Sequence, residues 1–231
     1  YLDSNELAYD YTKYYRLAGH IVPDMKKSLM IGGAGYSYPK DFLREHPQAS
    51  IDVVEIDPTL TDLAKKYFAL PEDKRLTIYH EDARTFLNRE ENQYDAIFND
   101  AFSSYYSHPF QLATKEAISH MAQMLTEDGV IITNTISAIE GHQGKFLRAE
   151  YATYKSVFPY VYVFPVALPE KGTVVQNVML VASKKPLNLQ SKNKEFKAYL
   201  ANHWQGEIPQ DVPILTDEYA PVEHYAIEIM N

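Results

Sequence analysis

Residues 27–35 of the chain read KSLMIGGAG, and this segment decides the fold. Its first part, Lys27–Ile31, is a short apolar run with the length of a buried β-strand. The glycines that follow predict a tight turn, because glycine tolerates positive φ angles and has no Cβ to hold a neighbouring group away. A buried strand that ends in such a turn predicts an α/β sheet with space for a ligand at the strand end.

The rest of the chain alternates between strand-like and helix-like patterns. Strands are predicted over residues 51–56, 76–79, 94–99 and 130–133, and helices over residues 37–46, 58–68, 85–89 and 114–125. This alternation predicts βαβ units, and therefore a doubly wound, mostly parallel sheet with helices on both faces. Residues 161–166 and 174–182 predict an antiparallel strand pair near the C-terminal edge, and a last helix is expected around residues 196–204.

The composition excludes several classes of protein. The 231 residues are 45% hydrophobic and 23% charged, which is typical of a folded domain and excludes wholesale disorder. The absence of cysteine excludes a disulfide scaffold and a cysteine nucleophile. A net charge of −9 argues against nucleic-acid binding and suits a cationic ligand. No apolar run approaches the roughly 18 residues of a membrane span, and we expect a cytoplasmic protein.

Acidic residues follow the next two predicted strands. Glu55 ends the second strand, where its carboxylate can accept hydrogen bonds from both hydroxyls of a ribose. The alternative role of a helix cap falls more naturally on Asp57, which directly precedes Pro58. Asp82 ends the third strand, where a carboxylate can receive the amino group of adenine. Ends of parallel strands meet at one edge of the sheet. The predicted nucleoside site comprises Gly32, Gly33, Gly35, Glu55, Asp82 and Ala83.

Two common ligand motifs are absent from the sequence. There is no G-x-x-x-x-G-K-[ST] loop for a nucleotide triphosphate, so we expect a nucleoside without phosphates, such as S-adenosylmethionine or a relative. The eight histidines show no H-E-x-x-H or comparable spacing. We therefore expect them to face solvent or to cap helices, and we expect no metal site.

Asp100 ends the fourth predicted strand and is the candidate catalytic residue. The strand is apolar at Ala96, Ile97 and Phe98, so the Asp100 side chain is expected at its tip, beside the ligand crevice. A carboxylate there can take a proton from an ammonium group and leave a free amine to attack a sulfonium-activated carbon. An aliphatic amine with a pKa of about 10 needs such a base at neutral pH. The alternative for Asp100 is a helix cap or a turn former.

The order of the motifs resembles that of the polyamine aminopropyltransferases, the spermidine synthase family. The motifs are I-G-G-x-G, V-V-E-I-D-P, E-D-A-R, Y-D-x-I-x-x-D and L-x-x-D-G-V, and the likeness extends roughly from Tyr11 to Ala182. The segments G-Y-S-Y-P (35–39) and L-T-D-E-Y-A-P-V-E (215–223) are similar to a bacterial spermidine-synthase-like branch that is often fused behind a membrane domain.

The resemblance implies a fold, a reaction and an organisation. The fold is the class I S-adenosylmethionine methyltransferase-like domain, preceded in the family by a small β domain. We expect residues 1–22 to be a remnant of that β domain and residues 23–231 to form the main domain. The family moves an aminopropyl group from decarboxylated S-adenosylmethionine to a diamine such as putrescine, releasing methylthioadenosine, without a metal. We further expect a homodimer and, since Tyr1 is not a methionine, a cytosolic part of a longer, membrane-tethered protein.

The resemblance also assigns roles to individual residues. Glu55 matches the ribose-binding acid, Asp82 with Ala83 the adenine contact, and Asp100 the proton-accepting aspartate. Tyr11 resembles a tyrosine near the diamine; the tyrosines around it are expected either to wall an amine pocket or to pack on the domain.

Three positions depart from the family pattern. Gly35 stands where the family has an aspartate that holds the donor amine, Ser103 stands in place of an amine-binding aspartate, and Lys13 replaces a glutamate. An ammonium group needs a partner in a closed pocket. We therefore predict that Asp217 or Glu223, in the tail beyond the last strand, folds back to the acceptor side; the alternative is that both are surface acids.

Two other functions stay open at this point. One is an S-adenosylmethionine-dependent methyltransferase, because N-D-A-F at residues 99–102 is faintly similar to the N-P-P-Y loop of amino-methylating enzymes. The other is a non-catalytic domain that binds a nucleoside or a polyamine.

Overall fold

The computed structural model describes residues 6–102 and 108–230 of the chain. Within these residues seven strands form one sheet. They are β1 (Lys27–Ile31), β2 (Ser50–Val54), β3 (Leu76–Tyr79), β4 (Tyr94–Asn99), β5 (Leu125–Ser137), β6 (Tyr160–Pro165) and β7 (Gln176–Ser183). Their spatial order is β3-β2-β1-β4-β5-β7-β6. The chain order reverses beside β1, and such a reversal creates a crevice at the carboxyl ends of the strands.

Helices cover both faces of this sheet. They are α1 (Asp10–Tyr14), α2 (Leu17–Ile21), α3 (Ser37–Glu45), α4 (Pro58–Tyr67), α5 (Ala83–Arg89), α6 (Phe110–Ala113), α7 (Lys115–Met124), α8 (Lys145–Lys155), α9 (Lys194–Ala201) and α10 (Val222–Met230), with a 3-10 turn at His142–Gly144. In β4, Phe98 packs into the core on one face and Ile97 into the core on the other. The predicted doubly wound α/β class is therefore confirmed.

The register of the parallel strands brings their carboxyl ends level with one another. Ile31 at the end of β1 pairs with Val54 of β2 on one side and with Asn99 of β4 on the other. Val54 in turn pairs with Tyr79, the last residue of β3. The residues that follow these strand ends must consequently lie at one edge of the sheet.

The antiparallel part of the sheet is formed by β7, which lies between β5 and β6 and runs against both. The predicted antiparallel pair is confirmed. The strand predicted over residues 130–133 is much longer, because β5 begins at Leu125 and includes the Asp128-Gly129 pair that was predicted as a turn. A bulge in the pairing with β4, between Tyr94 and Ala96, accommodates the additional residues.

The helix α4 has an unexpected buried face. Its apolar residues recur at helical spacing, yet Leu63 is 40% and Tyr67 49% exposed. The face that packs on the domain is formed by the small residues Thr61 and Ala64, and the Thr61 hydroxyl hydrogen bonds to that of Tyr36 at 2.7 Å. Small side chains let the helix approach closely, so the spacing predicts the helix but not the buried side.

Both ends of the described chain pack into the domain. Tyr15 packs on Tyr38 and Phe98, and Tyr14 packs on Phe164. Both tyrosines are buried, so the N-terminal segment shares the core on this face of the sheet. At the other end, the tail predicted to fold back to the acceptor side forms α10, which buries Val222 and Ile229 against Phe146 of α8. No helix of residues 6–102 and 108–230 is long and apolar enough to span a membrane.

Candidate functional site

A cavity of about 360 Å³ opens at the carboxyl ends of β1 to β4. Its size lies within the usual range for a site that binds a small molecule. The sequence-predicted residues that line it are Tyr11, Gly32, Glu55, Asp82, Ala83 and Asp100. The structure thus brings together at one cavity residues that lie up to 89 positions apart in the chain.

The glycine-rich turn has one position, Gly32, where both the backbone angle and the lack of space require glycine. Gly32 has a φ of +90°, and a Cβ there would lie 2.7 Å from the backbone oxygen of Asp100. At Gly33 a Cβ would meet the ring of Tyr36 at the same distance. Gly35 is different, because its nearest neighbour is the Ser37 Oγ at 3.9 Å, so a side chain has room there. Gly32 therefore holds the turn against the tip of β4, whereas Gly35 is not required by packing.

Glu55 holds the glycine-rich turn through backbone hydrogen bonds. Its Oε2 accepts from the backbone N–H groups of Gly33 at 2.9 Å and Ala34 at 3.0 Å, and its Oε1 accepts from Asp57 at 3.0 Å. A carboxylate offers about four acceptor positions, of which these bonds occupy three. One position on Oε1 is left for a ligand hydroxyl, so contact with two hydroxyls requires one backbone bond to be given up.

Asp82 and Asp57 both cap helices. Asp82 accepts from the backbone N–H of Thr85 at 2.9 Å and begins α5, while Asp57 accepts from Thr59 at 2.8 Å and begins α4. The cap role predicted for Asp57 is confirmed. Asp82 lines the cavity as well, next to Ala83, so its second carboxylate oxygen can receive a donor from a ligand.

Asp100 is held at the tip of β4 by neighbouring elements. Its backbone N–H donates to Ile31 at 2.9 Å. Its Oδ1 accepts from the side-chain amide of Asn134 at 3.0 Å, and its Oδ2 lies 3.5 Å from the hydroxyl of Tyr11. Loss of contact with water raises the pKa of Asp100 to about 6, although the bond from Asn134 and the nearby Tyr15 hydroxyl work against this rise. A carboxylate with such a pKa is suited to accept a proton near neutral pH.

A buried ion pair between His108 and Glu150 lies beside Asp100. The Nδ1 of His108 is 2.8 Å from Glu150 Oε1, and its Nε2 is 2.5 Å from the backbone oxygen of Asn134. Both ring nitrogens face acceptors, which is the environment of an imidazolium. Burial alone lowers the pKa of His108, but Glu150 and the Asn134 carbonyl outweigh it and raise the pKa above its usual value. The expectation of solvent-facing histidines is wrong here, because a carboxylate buried with His108 compensates its charge.

The tyrosines of the N-terminal segment divide into two groups. Tyr14 and Tyr15 are core residues, whereas Tyr9 and Tyr11 stack on each other with ring centroids 6.1 Å apart and line a second cleft. Packing on the domain, one of the alternatives predicted for this segment, occurs for Tyr14 and Tyr15, and the amine pocket stays a prediction for Tyr9 and Tyr11. Among the described residues, no group of three or more histidines, aspartates and glutamates is arranged to hold a metal ion.

Comparison with known proteins decides the family. The family described as "Spermine/spermidine synthase domain" matches residues 14–193, which is most of the chain. The chain belongs to the spermine/spermidine synthase family. This confirms the resemblance on which the sequence-based assignment depended.

Relatives within and near the spermine/spermidine synthase family agree with this membership. The polyamine aminopropyltransferase of Vibrio vulnificus is 29% identical over 91% of this chain and 74% of its own length. The chain spans only 53–57% of three further proteins of the same name. The fold matches a crystal structure titled as a probable spermidine synthase from Corynebacterium glutamicum, with a TM-score of 0.73, 23% identity and coverage of 89% of this chain and 74% of that one. A spermidine synthase in complex with the transition-state analogue AdoDATO gives a TM-score of 0.63 at 20% identity, covering 96% and 76% of the two chains.

The residues expected to replace the family's amine-binding acids lie elsewhere. Asp217 accepts from Arg84 at 2.6 Å and from the Thr114 hydroxyl at 2.7 Å. Glu223 is an exposed residue in the first turn of α10. Neither residue lines the cavity with Asp100. Arg84 binds Asp217, and the packing of α10 on α8 places Glu223 outside the cavity. Ser103 lies outside the described residues.

Three residues around Asp100 were not found by sequence reasoning. Asn134 and Tyr15 contact or face its carboxylate, and His108 adds a nearby charge. Tyr15 was noted only as part of the tyrosine cluster. Asn134 carries one usable signal, since it is a polar residue inside the otherwise apolar strand β5.

Proposed function

We propose that this chain transfers an aminopropyl group from decarboxylated S-adenosylmethionine to a primary amine, with Asp100 as the general base. The observation that carries the proposal is the position of Asp100, whose carboxylate lines the same cavity as the glycine turn, Glu55 and Asp82. A donor that occupies this cavity with its nucleoside brings its sulfonium-activated carbon toward Asp100. Membership of the spermine/spermidine synthase family supports the same reaction class.

In the proposed reaction Asp100 takes one proton from the ammonium group of the acceptor. The free amine nitrogen then attacks the carbon next to the sulfonium, a C–N bond forms, and the C–S bond breaks. The electron pair of that bond stays on sulfur, so methylthioadenosine leaves as a neutral thioether. A pKa of about 6 leaves Asp100 largely ionised at pH 7 and above, which is the form that accepts the proton.

We assign the nucleoside to named contacts in this proposal. Glu55 receives a ribose hydroxyl at the free position of its Oε1, and Asp82 with Ala83 faces the adenine. Tyr11, beside Asp100, lies on the acceptor side. We also propose a homodimer and a cytosolic location, which the family resemblance implies. Light scattering on the purified chain tests the homodimer.

The deciding experiment measures methylthioadenosine release from decarboxylated S-adenosylmethionine with a panel of amines. Asp100→Asn should reduce turnover about 100- to 10,000-fold, as is typical when a general base is removed. Its affinity for methylthioadenosine, measured by calorimetry, should stay within about twofold of that of the unchanged protein. Asp62→Asn is the matched control, since it makes the same chemical change on the exposed side of α4. Near-normal turnover in Asp100→Asn would refute the base assignment.

The second candidate is a methyltransferase that uses intact S-adenosylmethionine. The observation that favours it is Gly35, which leaves the donor amine without the acid found in the family. The same panel run with intact S-adenosylmethionine separates the two reactions, because methyl transfer releases S-adenosylhomocysteine instead of methylthioadenosine. Turnover of either donor excludes a purely binding role.

A further inference from the structure

A second cleft, of about 840 Å³, adjoins the cavity that Asp100 lines. Tyr11 and Phe102 line both spaces. The cleft is also lined by Asn134, and Tyr11 and Asn134 are the residues that contact the two carboxylate oxygens of Asp100. The cleft therefore lies next to Asp100, with Tyr11 and Asn134 between the cleft and the carboxylate.

The walls of this cleft carry no charge among the described residues that line it. Its polar side chains include four amides, from Asn134, Gln143, Gln176 and Asn177, and its remaining surface is largely aliphatic and aromatic. Asp100, at the junction with the nucleoside cavity, is the nearest carboxylate of the reacting site.

Acidic residues close to the cleft are directed to other partners. Glu228 precedes the lining residue Ile229, and its Oε1 accepts from Lys145 at 2.9 Å. Glu150 is fully engaged by His108 and the Thr135 hydroxyl. Glu228 Oε2 is buried without a hydrogen-bond partner among the described residues, but neither Glu228 nor Glu150 lines the cleft, and the described lining residues are neutral.

A line of neutral amides leads from the cleft to the reacting carboxylate. The side-chain amide of Asn177 donates to Asn134 Oδ1 at 3.0 Å, and that of Asn134 donates to Asp100. Gln176 is held to the backbone of residues 167 and 168, which fixes it as a wall of the cleft. Among the described residues, Asp100 is the carboxylate that these amides reach, and it can pair with the reacting ammonium group.

We propose that this cleft selects a primary amine whose far end is uncharged, in preference to a diamine such as putrescine. The inference rests on the proposed function for the identity of the reaction. A second ammonium group in the cleft would give up part of its hydration without a counter-charge, and that exchange is unfavourable. A hydroxyl or amide at the far end of the amine can instead hydrogen bond to the side-chain amides of the cleft. The methylene groups between the two ends then contact aliphatic side chains.

The test compares putrescine with 4-amino-1-butanol, which differs only in the distal group. Binding of each amine is measured by calorimetry on the complete chain saturated with methylthioadenosine, so that the result does not depend on turnover. We expect the amino alcohol to bind about tenfold more tightly than putrescine. Equal or tighter binding of putrescine, or no binding of either amine, would overturn the inference.

A pair of variants tests the charge argument directly. Thr173 is an exposed lining residue of the cleft, and Thr173→Asp adds a carboxylate where Thr173→Asn adds a neutral group of the same shape. The aspartate variant should bind putrescine about tenfold more tightly than the asparagine variant, with little change for the amino alcohol. If the two variants bind putrescine alike, the charge argument fails.

The proposed aminopropyl transfer and the proposed selectivity of the cleft can fail separately. If the amino alcohol binds preferentially but no donor is consumed with any amine, the proposed transfer is wrong and the selectivity of the cleft stands. If the transfer occurs and putrescine is the better acceptor, the transfer stands and the inference about the cleft is wrong.

Discussion

The side-chain amide of Asn134 donates a hydrogen bond of 3.0 Å to Oδ1 of Asp100. Asp100 directly follows β4 and Asn134 lies in the adjacent strand β5, and the backbone oxygen of Asn134 at the same time accepts from His108. Asn134 thus connects the candidate base to the buried His108–Glu150 ion pair. The ionisation of Asp100 should consequently respond to changes at residues that never touch a substrate.

Replacing His108 should shift the pH dependence of turnover. The imidazolium lowers the pKa of Asp100, so its removal in His108→Gln should raise that pKa above about 6. Asp100 must be ionised to act as a base, and the acidic limb of the kcat/KM profile should therefore move to higher pH, by about one unit. Glu150→Gln, which weakens the charge on His108, should shift the limb in the same direction.

The control for this pH shift is His120→Gln, the same substitution in α7. Its acidic limb should coincide with that of the unchanged protein. A folded His108→Gln or Glu150→Gln variant whose limb stays in place would show that the ion pair serves packing alone.

The ionised form of Asp100 should lower the free energy of unfolding at pH values above its pKa. The folded-state pKa of about 6 lies above the usual value of 3.8, so the folded protein binds this proton more tightly than the unfolded chain does. The ionised form is therefore disfavoured in the fold, and the penalty grows as pH rises from about 4 to about 6 and is constant above. Asp100→Asn should increase the free energy of unfolding at pH 8 by about 1–3 kcal/mol.

Urea unfolding at pH 8 and at pH 5 measures this effect. The gain from Asp100→Asn should be smaller at pH 5, where part of Asp100 is already protonated. An equal gain at both pH values would mean that the carboxyl is not perturbed by its surroundings.

The glycines of the turn should differ in their tolerance of a side chain. Gly32→Ala places a Cβ 2.7 Å from a backbone oxygen at a φ of +90°, so we expect a loss of at least about 2 kcal/mol in the free energy of unfolding. Gly35→Ala meets nothing closer than 3.9 Å and should change stability by less than about 1 kcal/mol. Thermal unfolding of the two variants side by side is sufficient, and similar losses in both would contradict the described geometry.

Glu55→Gln should weaken both the turn and the nucleoside site. The amide NH₂ cannot accept, so at least one of the three backbone N–H groups now bound to Glu55 loses its partner. We expect methylthioadenosine affinity to fall by about 1–3 kcal/mol, measured by calorimetry. Asp82→Asn keeps an acceptor for Thr85 and serves as a comparison in the same cavity. Unchanged affinity in folded Glu55→Gln protein would show that Glu55 does not contribute to methylthioadenosine binding.

Local sequence patterns were sufficient to predict the positions of the strand ends. Glu55 and Asp100 directly follow strands and Asp82 comes three residues after β3, and parallel pairing brings such strand ends to one edge of the sheet. The helix α4 shows the limit of the same reasoning. Periodicity predicts the helix, but the side that packs depends on Tyr36, which the pattern of α4 does not contain.

The sequence by itself determined the α/β class, the glycine-rich turn and the candidate base, because each depends on neighbouring residues and on the geometry of a parallel sheet. Only the tertiary structure decided which charges face the reacting site. Asp217 pairs with Arg84, which is 133 positions away in the sequence. His108 pairs with Glu150, 42 positions away, and Asn134 hydrogen bonds to Asp100, 34 positions away. Such pairs depend on how separate helices and strands are oriented in three dimensions, and they leave no local periodicity from which they could be predicted.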